Sequence, residues 1–157
     1  MKQRSRINIH TPAEELWAWL VEPEFIAEWN NKLLGAQPLQ PTPPQLNSRY
    51  RFTYRLSGSE QQCEGIITKF APWRELQWTF KGTHKQKHWQ VTESYLLTEK
   101  AGCTRLVRTV DLTHTPIPTL LRPLIWIILR FGRSVGPTAM QQLKALAEPM
   151  HQSSDDN

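Results

Sequence analysis

Cysteine is nearly absent from this chain: Cys63 and Cys103 are the only two in 157 residues. That number and spacing argue against a disulfide framework and against a cysteine-built zinc site. Both thiols are expected to stay reduced, which places the protein in the cytoplasm. Apolar runs are short as well. The most apolar stretch, PLIWIILRF at 123 to 131, sits in a segment cut by Pro118, Arg122 and Pro123, and a spanning helix needs about 20 mostly apolar residues. The net charge is +5, but no Lys/Arg block concentrates it, so nucleic acid is not an expected partner. The sequence has no Gly-rich phosphate loop, no CxxC pair and no arguable Ser/His/Asp spacing, which removes nucleotide, metal and nucleophilic chemistry from the first rank. The opening MKQRSRINIH lacks the apolar core of a signal peptide. Tandem repeats are absent.

What is present is alternation. RYRFTYRL places Tyr50, Phe52, Tyr54 and Leu56 on one face and Arg49, Arg51, Thr53 and Arg55 on the other, the sharpest period-two signal in the chain. EGIITKF follows after a SGSEQQ link. Beyond a turn at Ala71-Pro72, ELQWTF aligns Leu76, Trp78 and Phe80. HWQVTESYLLT aligns Trp89, Val91, Glu93, Tyr95 and Leu97; EKAG turns the chain; TRLVRTVDL aligns Leu106, Arg108, Val110 and Leu112. Residues 5 to 10 form an earlier strand with Ile7 and Ile9 on one face. LLGAQPL at 33 to 39 is a weak strand that suits an edge, and in the Pro-rich connector after it Asn47 tolerates left-handed geometry.

Helices flank these strands. Thr11-Pro12-Ala13-Glu14 predicts a helix start with Thr11 as N-cap and Glu14 completing a capping box. Leu16, Trp17 and Leu20 form its inward stripe. A second short helix, PEFIAEWN, carries Phe25, Ile26 and Trp29 on one side. After His114 a long helix is predicted to about residue 148, with a break near Gly132, Gly136 and Pro137. Leu120, Leu121, Leu124, Ile125, Ile128 and Leu129 make it mostly apolar, while Arg122, Trp126, Arg130 and Arg133 share one face. That face reads as a solvated rim, or as an interfacial patch for anionic lipid. Consecutive strands with short links give an antiparallel sheet, whose apolar face the long helix covers. One curved sheet does not close tightly on one helix along its whole length, and an apolar molecule fits in such a gap. The length suits one domain over residues 3–150, with a disordered polar tail at 151–157.

Two charges sit on otherwise apolar faces. Pairing Leu97 with Thr104 sets Glu93 opposite Arg108, and a two-residue slip leaves them diagonal and still within reach. Each needs the other, because an unpaired buried charge is costly. The pair is structural, or it is a polar anchor inside a pocket, with Arg108 orienting a ligand carboxylate or hydroxyl. His84 and His88 belong to a solvated hairpin loop, and no metal is expected there. His10 and Asp111 face solvent, and His114 precedes the long helix.

Taken in order, INIHTPAEELWAWLVEPEFIAEWN, NSRYRFTY, ITKFAPWRELQWTF, YLLTEKAGCTRLVRTVDL and ALAE resemble the START-like, or SRPBCC, superfamily over nearly the whole chain, in its bacterial polyketide cyclase/dehydrase and lipid-transport-like branch. The resemblance implies an α+β helix-grip fold: a seven-stranded antiparallel sheet wrapped around a long C-terminal helix, with two short helices after the first strand. Asn47 stands where that pattern usually has Gly. The resemblance also implies a hydrophobic or amphipathic ligand, lipid, sterol or polyketide-like, held between sheet and helix, with no transferable catalytic set; no cofactor is expected. The cavity candidates are Trp29, Tyr50, Phe52, Tyr54, Trp78, Trp89, Glu93, Tyr95, Arg108, Leu124 and Ile128. The alternatives are a cyclase/dehydrase-type enzyme using Glu93, Arg108 and a tyrosine, and a module that meets a protein or, peripherally, an anionic membrane. The sequence carries no signal for an oligomeric state.

Overall fold

The structure, a computed structural model, describes residues 1–56, 58–84, 86–114 and 138–148. In chain order the elements are β1 (Lys2–Ile9), α1 (Ala13–Val21), α2 (Pro23–Trp29), β2 (Leu33–Pro38), β3 (Arg49–Leu56), β4 (Ser59–Ala71), β5 (Glu75–His84), β6 (Lys87–Lys100), β7 (Cys103–Asp111) and α3 (Ala139–Ala147). The strands form one seven-stranded sheet in the order β1-β7-β6-β5-β4-β3-β2, antiparallel at every junction. This is the α+β helix-grip architecture. The apolar run 123–131, the Arg122/Trp126/Arg130/Arg133 face, the candidates Leu124 and Ile128, and the tail 151–157 lie outside the described residues. No helix among the described residues is long and apolar enough to cross a membrane.

Alternation decides the strands, and tight turns decide how they pair. Leu56 pairs with Ser59, His84 with Lys87 and Lys100 with Cys103, so three hairpins close over two-residue loops. Such loops favour left-handed backbone, which matches the right-handed twist of the strands; Gly58, Gln86, Ala101 and Gly102 all have positive φ, between 51° and 80°. Two expectations need correction here. SGSEQQ is not a link: β4 begins at Ser59, because a glycine at position 58 lets the chain reverse at once. His84 and His88 lie on strands rather than in a loop, and Thr83 Oγ1 is 3.1 Å from His88 Nδ1.

The start of α1 also differs from expectation. Pro12 occupies the N-cap position with no side-chain cap, and Thr11 is recruited elsewhere. Its hydroxyl donates to the Ala147 carbonyl at 3.2 Å, and its own carbonyl accepts from the Thr104 hydroxyl at 2.6 Å. A carboxylate from β6 does the capping: the Ala13 N–H donates to Glu99 Oε1 at 3.3 Å. The end of α3 is fixed to the same corner, with His10 N–H donating to Glu148 Oε1 and Lys144 Nζ to the Asn8 carbonyl. α3 begins at Ala139, with Thr138 as N-cap, whose side chain forms a capping box with Gln141; the expected break near Gly132, Gly136 and Pro137 lies outside the described residues.

The core lies between the inner face of the sheet and the helices. Leu16, Leu20, Trp29, Phe52, Ile67, Leu76, Trp78, Leu106 and Leu143 are all essentially inaccessible. Each is worth about 1.5–3 kcal/mol when fully buried. Phe25, expected on the inward side of α2, is 38% exposed and leans on Trp19 with ring centroids 5.2 Å apart.

The two margins of the sheet are built differently. β1 carries Lys2, Arg4 and Arg6 on its outer face, exposed. β2 is bulged between Leu33 and Gly35 and ends at Pro38.

Candidate functional site

Alternation delivers one side chain in two to the inner face; on β3 and β5 these are mainly aromatic, and between them β4 contributes Cys63, Gly65 and Ile67. Phe52 lies 5.5 Å from Trp78, 5.2 Å from Phe80, 6.2 Å from Tyr50 and 6.1 Å from Tyr54 (ring centroids). Most of the wider set meet edge to face, with the favourable quadrupole geometry; Phe52–Tyr54 and Trp78–Phe80 are stacked. Two glycines make room. A Cβ at Gly65 would run into the Phe52 ring and crowd Phe80, and a Cβ at Gly82 would run into the Trp89 indole lying across it. Phe80, Gly65 and Gly82 were not among the candidates. A glycine inside an alternating strand was the available signal for the latter two.

The candidates divide by what they touch. Trp29 and Trp78 have polar partners inside the protein: the Trp29 indole N–H donates to the Trp19 carbonyl at 2.7 Å, and that of Trp78 to the Leu20 carbonyl at 3.2 Å. They satisfy carbonyls at the end of α1, which its own last turn leaves open. Tyr50 and Phe52 are buried, Tyr54 and Trp89 half-buried.

The polar centre is on β6 and β7. Tyr95 is directly opposite Arg108, and Glu93 is opposite Val110. The register is therefore the slipped one, fixed by the Ala101-Gly102 loop, and Glu93 and Arg108 are diagonal neighbours. Arg108 Nη2 donates to Glu93 Oε1 at 2.9 Å, and the Tyr95 hydroxyl donates to Glu93 Oε2 at 2.7 Å. Both charged side chains are only about a fifth exposed, 21% and 19%. The Arg108 Nε is buried with no hydrogen-bond partner among the described residues.

Electrostatics follow from this placement. Burial opposes the Arg108 charge, but the Tyr95 and Glu93 oxygens outweigh it and hold the guanidinium protonated beyond its ordinary range. Burial first, and then the Glu93 charge, raises the phenols of Tyr95 and Tyr54 well above normal, so both remain neutral donors. Tyr95 and Arg108 also act electrostatically on Tyr54. Burial alone pushes the Cys63 thiol up to about 12, so it is no nucleophile. Among the described residues no group of His, Cys, Asp or Glu could hold a metal ion.

The two larger hollows described lie elsewhere. One of about 660 Å³ near the β5–β6 hairpin is lined by Glu64, Lys81, His88, Trp89 and His114, among others. Another of about 400 Å³, mainly apolar, lies between Trp19, Phe25 and Ala147. Neither is lined by Glu93 or Arg108.

The model of a family described as polyketide cyclase / dehydrase and lipid transport matches residues 2–148. No curated protein matches the chain. Solved structures share the fold at low identity. Protein MLL2253 from Mesorhizobium loti is 16% identical, with all of both chains covered and a TM-score of 0.66. Ginseng major latex-like protein 151 from Panax ginseng is 9% identical, with 94% of this chain and 97% of that one covered and a TM-score of 0.68. Ara h 8.0201 is 13% identical, with the same coverage and a TM-score of 0.66.

Proposed function

From the premise that the chain belongs to the polyketide cyclase / dehydrase and lipid transport family, we propose that it binds a small hydrophobic or amphipathic molecule, lipid, sterol or polyketide-like, between the inner face of the sheet and the C-terminal helix. One observation carries this reading. The inner face is apolar, with an aromatic cluster on β3 and β5, and its charged interruption is concentrated in Glu93 and Arg108 with Tyr95. Ligand sites have this composition, mostly apolar with a few placed polar groups. Tyr54 and Trp89 offer partly exposed aromatic surface, whereas Trp29 and Trp78 act mainly as struts.

The test is to extract the freshly purified protein with organic solvent, analyse the extract by mass spectrometry, and follow thermal unfolding with fatty acids, sterols and aromatic polyketides. A ligand at 100 times its Kd adds about 2.7 kcal/mol, a rise of about 5–10 °C in Tm for a chain this long. An empty extract and no shift with any of the three classes would defeat the reading.

One observation supports a second reading, a cyclase/dehydrase-type enzyme: the Tyr95–Glu93–Arg108 chain couples a phenol, a carboxylate and a cation within hydrogen-bond distance. If Glu93→Gln and Arg108→Ala both leave turnover of every accepted substrate unchanged, that reading falls.

A further inference from the structure

We infer, resting on the ligand-binding reading above, that the site selects an apolar molecule bearing a neutral hydrogen-bond acceptor, a ketone- or ester-type carbonyl, in preference to a carboxylate. The inference comes from counting charges and donors around Arg108. Its guanidinium spends Nη2 on Glu93 Oε1 at 2.9 Å, and the other oxygen of that carboxylate takes the Tyr95 hydroxyl at 2.7 Å. The pair is therefore neutral in sum, and both Glu93 oxygens are engaged. Of the five N–H donors of that guanidinium, the Nε–H is buried and lacks an acceptor among the described residues. Buried donors of this kind are rare in native structures, and each calls for a partner.

The sign of that partner follows from Coulomb's law. A ligand carboxylate would bring a second negative charge beside Glu93 in a poorly solvated place, so that two anions share one cation. A carbonyl oxygen accepts the Nε–H bond and brings no charge. Tyr54, held protonated by burial, offers a further neutral donor on the same face of the sheet. Its ring stacks on Phe52 at 6.1 Å and meets Phe80 edge-on at 6.3 Å, so a flat apolar body attached to the carbonyl meets aromatic surface.

Three matched probes test this on the full chain by calorimetric titration at neutral pH: acetylnaphthalene, ethylnaphthalene and naphthoate. They share one apolar body and differ in the group offered to Arg108. The ketone is expected to bind about tenfold tighter than the hydrocarbon, as a bond to a charged donor implies, and tighter than the carboxylate. Arg108→Lys keeps the charge but has no Nε–H, and it should collapse the ketone-to-hydrocarbon ratio to about twofold or less. Equal binding of ketone and hydrocarbon by the native chain, or tightest binding of naphthoate, overturns carbonyl selection and leaves the apolar-ligand reading standing. If none of the three binds, carbonyl selection falls, and the apolar-ligand reading is decided separately by the extraction and thermal-unfolding test above. The native comparison decides the matter even where the variant fails to fold.

Discussion

At the scale of single residues, the informative contrast is between Arg108 and the tryptophans. Trp29 and Trp78 have their only polar atoms satisfied within the protein, so nothing about them asks for a ligand. Arg108 shares its charge with Glu93 yet keeps one buried nitrogen unmatched. Removing one member of such a pair strands the other in poorly hydrated surroundings, whereas removing both replaces it with apolar packing. Because each side chain is about a fifth exposed, the stranding cost is set below that of a fully buried pair. Glu93→Leu and Arg108→Leu should each cost about 2 kcal/mol, and the double substitution less than about 1 kcal/mol. Urea denaturation of the three variants measures this directly, and additive losses would show that the pair is not coupled.

At the scale of elements, the turns govern. The β6–β7 loop places Ala101 and Gly102 at φ 51° and 74°, the pattern of a type I′ turn, for which Asn-Gly is the preferred pair. An alanine pays for left-handed backbone where an asparagine is more tolerant. Ala101→Asn is therefore expected to raise stability by about 0.5 kcal/mol and Gly102→Ala to lower it by about 1 kcal/mol, both read from shifts in the denaturation midpoint. These same loops set the limit on what the sequence discloses. The strands were legible because apolar and polar residues alternate, and Asn47 was legible because its left-handed backbone, φ 68°, is one that asparagine tolerates. The pairing of Glu93 with Arg108 was legible from two charges on apolar faces. Their exact register was not, because a two-residue difference in loop closure preserves every face. Nor was the true cap of α1: Thr11 has the right chemistry for a cap, but Ala147 lies 136 positions away and takes its hydroxyl. Phe80 escaped the candidate site for the same reason, since its contact with Phe52 depends on strand order rather than on local pattern.

At the scale of the whole molecule, the helices and the sheet share one core instead of forming separate layers. The indole of Trp78 on β5 ties the sheet to the end of α1, Trp29 ties α2 to α1, and α3 is joined through Ala147 and Glu148 to the β1–α1 corner. Unfolding should be a single cooperative event. Far-UV circular dichroism, which follows the sheet and helices, and tryptophan fluorescence, which follows Trp29 and Trp78 among others, should give superimposable denaturation curves. An early fluorescence change with the dichroism intact would mean that the helices leave first.

An open sheet, unlike a closed barrel, always offers strangers two unpaired backbones to zip onto. Here a neighbour laid along β1 would bring its own Lys2, Arg4 and Arg6 against theirs, and one laid along β2 would meet a dislocated register and then a proline with no hydrogen to give. Recruitment of an eighth strand from another copy is thus discouraged at each border, by repulsion on one side and by broken geometry on the other. The protein can keep a broad, sticky aromatic surface on the inside of its sheet without becoming a template for fibrils.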